Sequence, residues 1–223
     1  MASVAPLRSA FGFLAALLDV VGHAVIVGWA PMVAVNSTML PLGTGAPDFT
    51  LPDPSGRTWS LDEIAADAPA LVVMVLSNHC PYVKHIGREL GLLTQRFLAK
   101  GVAVVGIMSN DVSNYPDDAP ELMAANARSL GWDFPYLYDE DQSVAKAYRA
   151  ACTPDFYVFD GDRRLVYRGR FDAARPSTDT PVTGADLKAA VNAVLAGRGP
   201  SSDQFPSIGC NVKWRAGNEP DWF

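Results

Sequence analysis

The sequence predicts an α/β fold: a central mixed β-sheet flanked by helices, with a C-terminal tail packing on the domain. Two observations carry this. First, two short runs of continuously apolar residues rich in Val, Ala70 to Leu76 (ALVVMVL) and Val102 to Met108, bracket a segment of helical periodicity. Strand–helix–strand units of this kind imply parallel pairing. Second, DFYVFD and RLVYRGRF flank a Gly161-Asp162 turn and read as a hairpin, which adds antiparallel strands to the same sheet.

The elements follow in order. LGTGAPDFTLPDPSGRTWSL, from Leu42, alternates turn residues with a short strand and forms the domain entry. Ser60-Leu-Asp-Glu63 is a capping box opening a short helix. After the strand 70–76, Pro81 suits a first helical turn, where its missing N–H does no harm. The helix runs to about Lys100, and Gly101 stops it. Its apolar stripe is Val83, Ile86, Leu90, Leu93 and Phe97, three or four residues apart. The second strand leads into SNDVSNYPDD, whose residue types are those of a cap-and-turn loop. Asp118 caps the next helix, with Pro120 and Glu121 in its first turn. Phe134 to Asp139 is extended, and Gln142 to Arg149 is a short helix. Asp155 to Asp160 and Arg164 to Phe171 form the hairpin, and Thr183 caps a last helix ending near Ala196. A tail rich in Gly, Pro and Ser follows.

Composition narrows the class. With 49% hydrophobic and 19% charged residues, this is a globular chain. A net charge of −6 with no Lys/Arg cluster argues against nucleic acid as a partner. Three widely spaced cysteines do not make a disulfide scaffold; they suit a reducing compartment or a redox site, and a cytoplasmic location is expected. The N-terminal stretch from Ser9 to Val35 is apolar but is interrupted by Asp19, His23 and Pro31. A charge mid-span costs about 3 kcal/mol. Residues 1–31 are therefore read as an extension outside the core, with translation starting at Met32. The alternative is an export or anchor segment at residues 9–31, and membrane contact is expected nowhere else. Residues 36–199 form the domain, and residues 200–223 are a tail carrying Cys210.

The chemistry centres on SNHCPYVKHI, Ser77 to Ile86. Cys80 sits where a strand hands over to a helix. Free N–H groups and the macrodipole favour a thiolate there, and His79, Lys84 and His85 add basic neighbours. A small buried hydrophobe is the competing role for Cys80. The residue three further on is Val83, so no second cysteine lies within one helical turn.

A strand ending in Cys-Pro-x-x at a helix start resembles the thioredoxin-like superfamily. ACTPDFYVFD resembles its Thr-Pro element, and with VNSTMLPLGTGAPDF, SNDVSNYPDD, SIGCNVKW and GNEPDWF the region from about Asn36 is similar to redoxin-type proteins of the alkyl hydroperoxide reductase/thiol-specific antioxidant branch. The resemblance implies a thioredoxin-like fold and a cis Pro154 whose loop faces Cys80, with Thr153 in backbone contact. It departs from Cys-x-x-Cys at Val83. It departs from the peroxiredoxin motif at Val73, although Ser77 supplies that motif's hydroxyl.

The function implied is thiol-based oxidoreduction of a disulfide or a peroxide, with Cys80 as nucleophile and no organic or metal cofactor. A thiol reductant protein or a small thiol supplies electrons. Cys152 or Cys210 resolves the product, and Cys152 is expected to be the nearer, through the proline loop. Ser77, His79, Pro81, Lys84, Thr153 and Pro154 are the supporting residues. Asn110, Asp111 and Tyr115 are read as turn residues, and Arg149 and Arg170 as solvated. Two other classes stay open: a metal-binding or metallochaperone module using His79, Cys80, His85 and Cys210, and a non-catalytic thioredoxin-like binding domain.

Overall fold

A computed structural model describes residues 34–222. The sequence expectations for residues 1–31, including a start at Met32, lie outside these residues. The elements are β1 (Ala34–Asn36), β2 (Thr50–Pro52), β3 (Thr58–Ser60), α1 (Leu61–Ile64), β4 (Ala70–Leu76), α2 (Pro81–Leu98), β5 (Ala103–Met108), α3 (Pro120–Leu130), β6 (Tyr136–Tyr138), α4 (Ser143–Ala147), β7 (Cys152–Thr153), β8 (Asp155–Asp160), β9 (Leu165–Gly169), α5 (Ala185–Leu195) and β10 (Ile208–Asn211). A 3₁₀ turn at Pro116–Asp118 precedes α3. Among the described residues no helix is long and apolar enough to cross a membrane.

The main sheet has the order β6-β5-β4-β8-β9. β4, β5 and β6 run parallel, whereas β8 is antiparallel to both β4 and β9. This is the mixed sheet that the sequence pattern implies. All seven residues of β4 are buried because both faces of the strand are covered. Side chains alternate along a strand. Val72, Met74 and Leu76 pack with the α2 stripe and with Leu187 and Val191 of α5. Leu71, Val73 and Val75 pack on the other face with Leu61 of α1 and with Val144 and Ala145 of α4. Burying each large apolar side chain of the α2 stripe contributes roughly 1.5–3 kcal/mol. The stripe therefore fixes the rotation of α2 about its axis, and with it the position of the residue at its N-terminus.

Two caps differ from expectation. The residue before α3 is Ala119, and the Asp118 carboxylate is turned into the protein, for reasons given below. The residue before α5 is Gly184, with φ +63°, instead of Thr183. There the buried Asp172 carboxylate accepts the N–H groups of Thr183 and Gly184, both at 2.7 Å. A side chain distant in sequence takes over what Thr183 would have done locally.

The tail is built into the fold. β10 lies between β1 and β7 in a second, antiparallel sheet of three strands. Farther on, Trp214 packs edge-to-face on Trp222 at 6.1 Å. This seats a strand from near the end of the chain against the two residues that precede Pro154.

Candidate active site

Cys80 is the N-cap of α2, in extended conformation (φ −61°, ψ 121°), and Pro81 occupies the first helical position. Its backbone N–H donates to Ser77 Oγ at 3.2 Å. Its thiol donates to the Thr153 carbonyl at 3.2 Å, and the Thr153–Pro154 peptide is cis. The proline loop thus faces the cysteine as the sequence implies. Cys80 is fully buried.

Strand pairing decides which second thiol meets it. In the β7–β10 ladder Cys210 lies opposite Thr153, and Cys152 lies opposite Asn211. Neighbouring residues of a strand point to opposite faces, so Thr153 and Cys210 share one side and Cys152 is turned to the other. Cys80 and Cys210 belong to the same apolar cluster and are hydrogen-bonded to each other. Cys152 instead approaches the Pro154 carbonyl at 3.8 Å. The expectation that Cys152 lies nearest Cys80 is therefore reversed. Sequence adjacency to Pro154 brought it close, but the alternation of the strand aimed it away.

Electrostatics separates the three thiols. Burial pushes the Cys80 thiol up. Once ionised, the sulfur accepts hydrogen bonds from the Cys210 thiol, the Thr153 side chain and the backbone N–H groups of Val83 and Cys210; these outweigh burial and bring the thiol down to about 6, and the contact to the Thr153 carbonyl belongs to the protonated form. Cys210 moves the opposite way: its hydrogen bond to Cys80 comes first, with burial and the Cys80 charge adding to it, and it keeps its proton. Burial pushes Cys152 well up, helped by the nearby Asp155 charge. The pair is thus arranged for Cys80 to ionise first while Cys210 stays the donor thiol. Alkylation of Cys80 should accordingly titrate with a midpoint near 6. In Cys210→Ala the midpoint should rise toward the ~8.5 of a free thiol. Site-resolved labelling rates against pH measure both, and an unchanged midpoint in Cys210→Ala would show that the thiol donor does not set the charge.

The basic neighbours behave differently from expectation. Lys84 is exposed one turn along α2. His85 lines a separate cavity, with its Nε2 buried and without a hydrogen-bond partner among the described residues. His79 stacks on Tyr115 (ring centroids 5.6 Å apart) and places Nδ1 2.6 Å from Asp118 Oδ2. Asp118 is completely buried and collects most of the loop. It accepts from Ser77 Oγ (3.1 Å), Asn78 N (2.6 Å), His79 N (3.2 Å) and Asn110 Nδ2 (2.7 Å). Burial raises its carboxyl, but the hydrogen bond and charge of His79 and the Asn110 amide prevail and hold it below the usual carboxylate range. The Ser77 hydroxyl therefore serves Asp118 and the Cys80 backbone, and the 77–80 loop is held rigid beneath the thiol.

Sequence reasoning missed Asp118, Asn110 and Lys213. Asn110 joins the halves of the site: it donates to Asp118, and its Oδ1 accepts from Lys213 N at 2.8 Å. Lys213 is buried, with Nζ 2.6 Å from Asn211 Oδ1 and 5.4 Å from the Tyr115 ring centroid. Burial holds its amine below the usual lysine range, and the charges of Cys210, Cys80 and Asp118 offset this only in part, so the amine is coupled to the thiol pair. Its only sequence signal is a lysine set between Val212 and Trp214. Asn110, Asp111 and Tyr115, read as turn residues, all take part in this side of the site. Arg149 packs its guanidinium toward the Trp222 ring instead, and Arg170 borders the His85 cavity. Among the described residues no group of three or more His, Cys, Asp or Glu is arranged to hold a metal. His79 and His85, half of the metal set considered from sequence, are directed elsewhere.

A family model described as the AhpC/TSA family matches residues 42–168. The chain belongs to the AhpC/TSA family. The AhpC/TSA match spans β4, Cys80 and the cis-proline but stops before β10 and Cys210. The chain is similar to a hypothetical protein from Sinorhizobium meliloti 1021, with 50% identity, TM-score 0.80, and coverage of 82% of this chain and 99% of that one. It is equally similar to an uncharacterized conserved protein from Geobacillus kaustophilus, with 51% identity, TM-score 0.81, and coverage of 83% and 98%. Peroxidoxin BcpB from Mycobacterium tuberculosis shares the fold at 20% identity, with TM-score 0.51 and coverage of 70% and 97%. No curated protein matches. The fold is thioredoxin-like.

Proposed function

We propose that the chain is a thiol oxidoreductase whose redox pair is Cys80 and Cys210. The observation that supports it is a buried, hydrogen-bonded thiol pair at the N-terminus of α2, in which Cys80 carries the charge and Cys210 the proton. With a disulfide, the Cys80 thiolate attacks one sulfur and expels the other as a thiolate. Cys210 then loses its proton and attacks the mixed disulfide, closing Cys80–Cys210 and releasing the second thiol. With a peroxide, the thiolate attacks the terminal oxygen, the O–O bond breaks, and a proton goes to the departing alkoxide or hydroxide. The sulfenic acid on Cys80 is then attacked by Cys210 and water leaves. Either route moves two electrons onto the substrate. An external thiol reductant returns them by reducing the Cys80–Cys210 bond. Lys213 steadies the thiolate, and Cys152 takes no step. Three free thiols fit work in a reducing compartment.

The test is peptide mapping after limiting hydrogen peroxide and, in parallel, a limiting small disulfide. A Cys80–Cys210 linkage is expected, and whichever oxidant forms it faster identifies the substrate class. Cys210→Ser should stop at the Cys80 sulfenate and accumulate sulfinic acid under excess peroxide. Cys152→Ser should still close the bond. A Cys80–Cys152 linkage in the wild type would overturn the pairing.

A further inference from the structure

Beside the thiol pair lies a cavity that the redox chemistry does not use. Tyr82, His85, Pro154, Arg170, Asp172 and Arg175 are among its walls. Its position is informative. Pro154 follows Thr153, the residue that accepts from Cys80, and Tyr82 precedes Val83, whose N–H faces the Cys80 sulfur. Ile208, two residues before Cys210, closes a further side.

The polar groups of this cavity are incompletely satisfied. Arg175 donates through Nη1 to the carbonyls of Asp172 (3.0 Å) and Ala174 (2.7 Å), and among the described residues no carboxylate pairs with it. Arg170 brings a second guanidinium, tied through Nε to Asp186 at 2.6 Å. The Asp172 carboxylate, the negative group in the wall, is occupied by the N–H groups of Ala174, Thr183 and Gly184. His85 Nε2 is buried and has no hydrogen-bond partner among the described residues. A buried polar atom left unpaired is costly, and His85 and Arg175 line the same cavity, so an anion seated there would have a donor on one wall and a guanidinium on another. Burial and the neighbouring Arg170 both act against the Arg175 charge, which a bound anion would relieve.

We infer that this cavity seats a carboxylate borne by the small thiol or disulfide that exchanges with Cys80. This rests on the reading of Cys80 as a thiol that exchanges with sulfur substrates. The protein as a whole carries a net charge of −6. Long-range steering therefore repels anions, and any preference for one must come from a local site.

The experiment compares three symmetrical disulfides of similar size against the reduced full chain at fixed pH and low salt: dithiodipropionate (anionic), hydroxyethyl disulfide (neutral) and cystamine (cationic). Oxidation is followed by intact mass. The anionic disulfide should react about tenfold faster than the neutral one, as a charged hydrogen bond implies, and salt should erode that advantage. In Arg175→Gln the anionic-to-neutral rate ratio should fall to near one, whereas Arg175→Lys should keep most of it. Thermal melts confirm that each variant is folded, and the Lys variant carries the test if the Gln variant is not. If all three disulfides oxidise the chain with the anionic one no faster than the neutral, the carboxylate seat is wrong and the thiol chemistry stands. If none oxidises it, the thiol reading itself fails and the seat falls with it.

Discussion

Gly209→Ala should disconnect the thiol pair. A Cβ at this position would lie 1.9 Å from the Thr153 carbonyl oxygen and 2.7 Å from its carbon. Both are backbone atoms in a paired strand, so no side-chain rotation relieves the overlap, and β10 must withdraw from β7. Two consequences follow from one methyl group. Cys210 moves away from Cys80, and the carbonyl that accepts the Cys80 thiol is displaced. Overpacking against yielding neighbours costs about 1–3 kcal/mol. Here the neighbour is rigid, so about 3 kcal/mol or more is expected, a drop in Tm of roughly 6–12 °C for a domain of this size. Closure of the Cys80–Cys210 bond should slow by at least about tenfold, since 1.4 kcal/mol of lost proximity already suffices for that factor. Thermal unfolding and quenched-flow peptide mapping read the two effects. A variant that melts and closes like the wild type would show that β10 does not approach β7 as described.

Asp118→Ala should be the most damaging change on the other side of the site. It removes the common acceptor of the Ser77 hydroxyl, two loop N–H groups, the Asn110 amide and the His79 ring. Donors buried without partners cost about 1–3 kcal/mol each, so a loss of at least about 3 kcal/mol is expected. Asp118→Asn keeps an oxygen but not the charge and should lose roughly half as much. The pH dependence has a definite sign. The folded carboxyl lies below its usual range, so its contribution is complete above the unfolded value of ~3.9. That contribution is lost as pH falls through the depressed folded value. Wild-type stability should therefore drop below about pH 4, and the Asn variant should show a shallower drop. Urea unfolding at a series of pH values measures this; parallel curves for the two proteins would mean that Asp118 is not the ionised partner.

What could be read in advance divides by distance along the chain. Period and punctuation are local, so β4, the α2 stripe, the Ser60 cap and the hairpin were legible from a few neighbouring residues. The Cys-Pro and Thr-Pro elements carried enough family character to place Cys80 against the proline loop. Asp118 was legible only as a helix cap, because Asp-Ala-Pro is a good local cap. Its real partners lie about forty residues back, at Ser77 to His79. Cys210 and Cys152 were ranked by closeness to Pro154, but a one-residue difference in a strand reverses which face a side chain takes. No local feature of SIGCNVKW reveals that its strand pairs with Cys152 and Thr153. The same holds for Lys213, whose charge becomes intelligible only once the thiols and Asp118 stand around it.

The complete burial of Cys80 gives its reactivity two independent controls. Hydrogen bonding lowers the thiol, but the residue has no exposed surface, so on the proposed thiol chemistry a reagent meets the sulfur only when some part of its cover opens. If that opening is brief and reversible, the observed rate is the intrinsic rate multiplied by the open fraction. The pH midpoint then still belongs to the closed form, while the plateau belongs to the gate. Raising the reagent concentration far enough would make the rate level off at the frequency of opening itself. A thiol poised by charge and withheld by access discriminates among oxidants by how long each can wait at the surface, and not only by how strongly each oxidises.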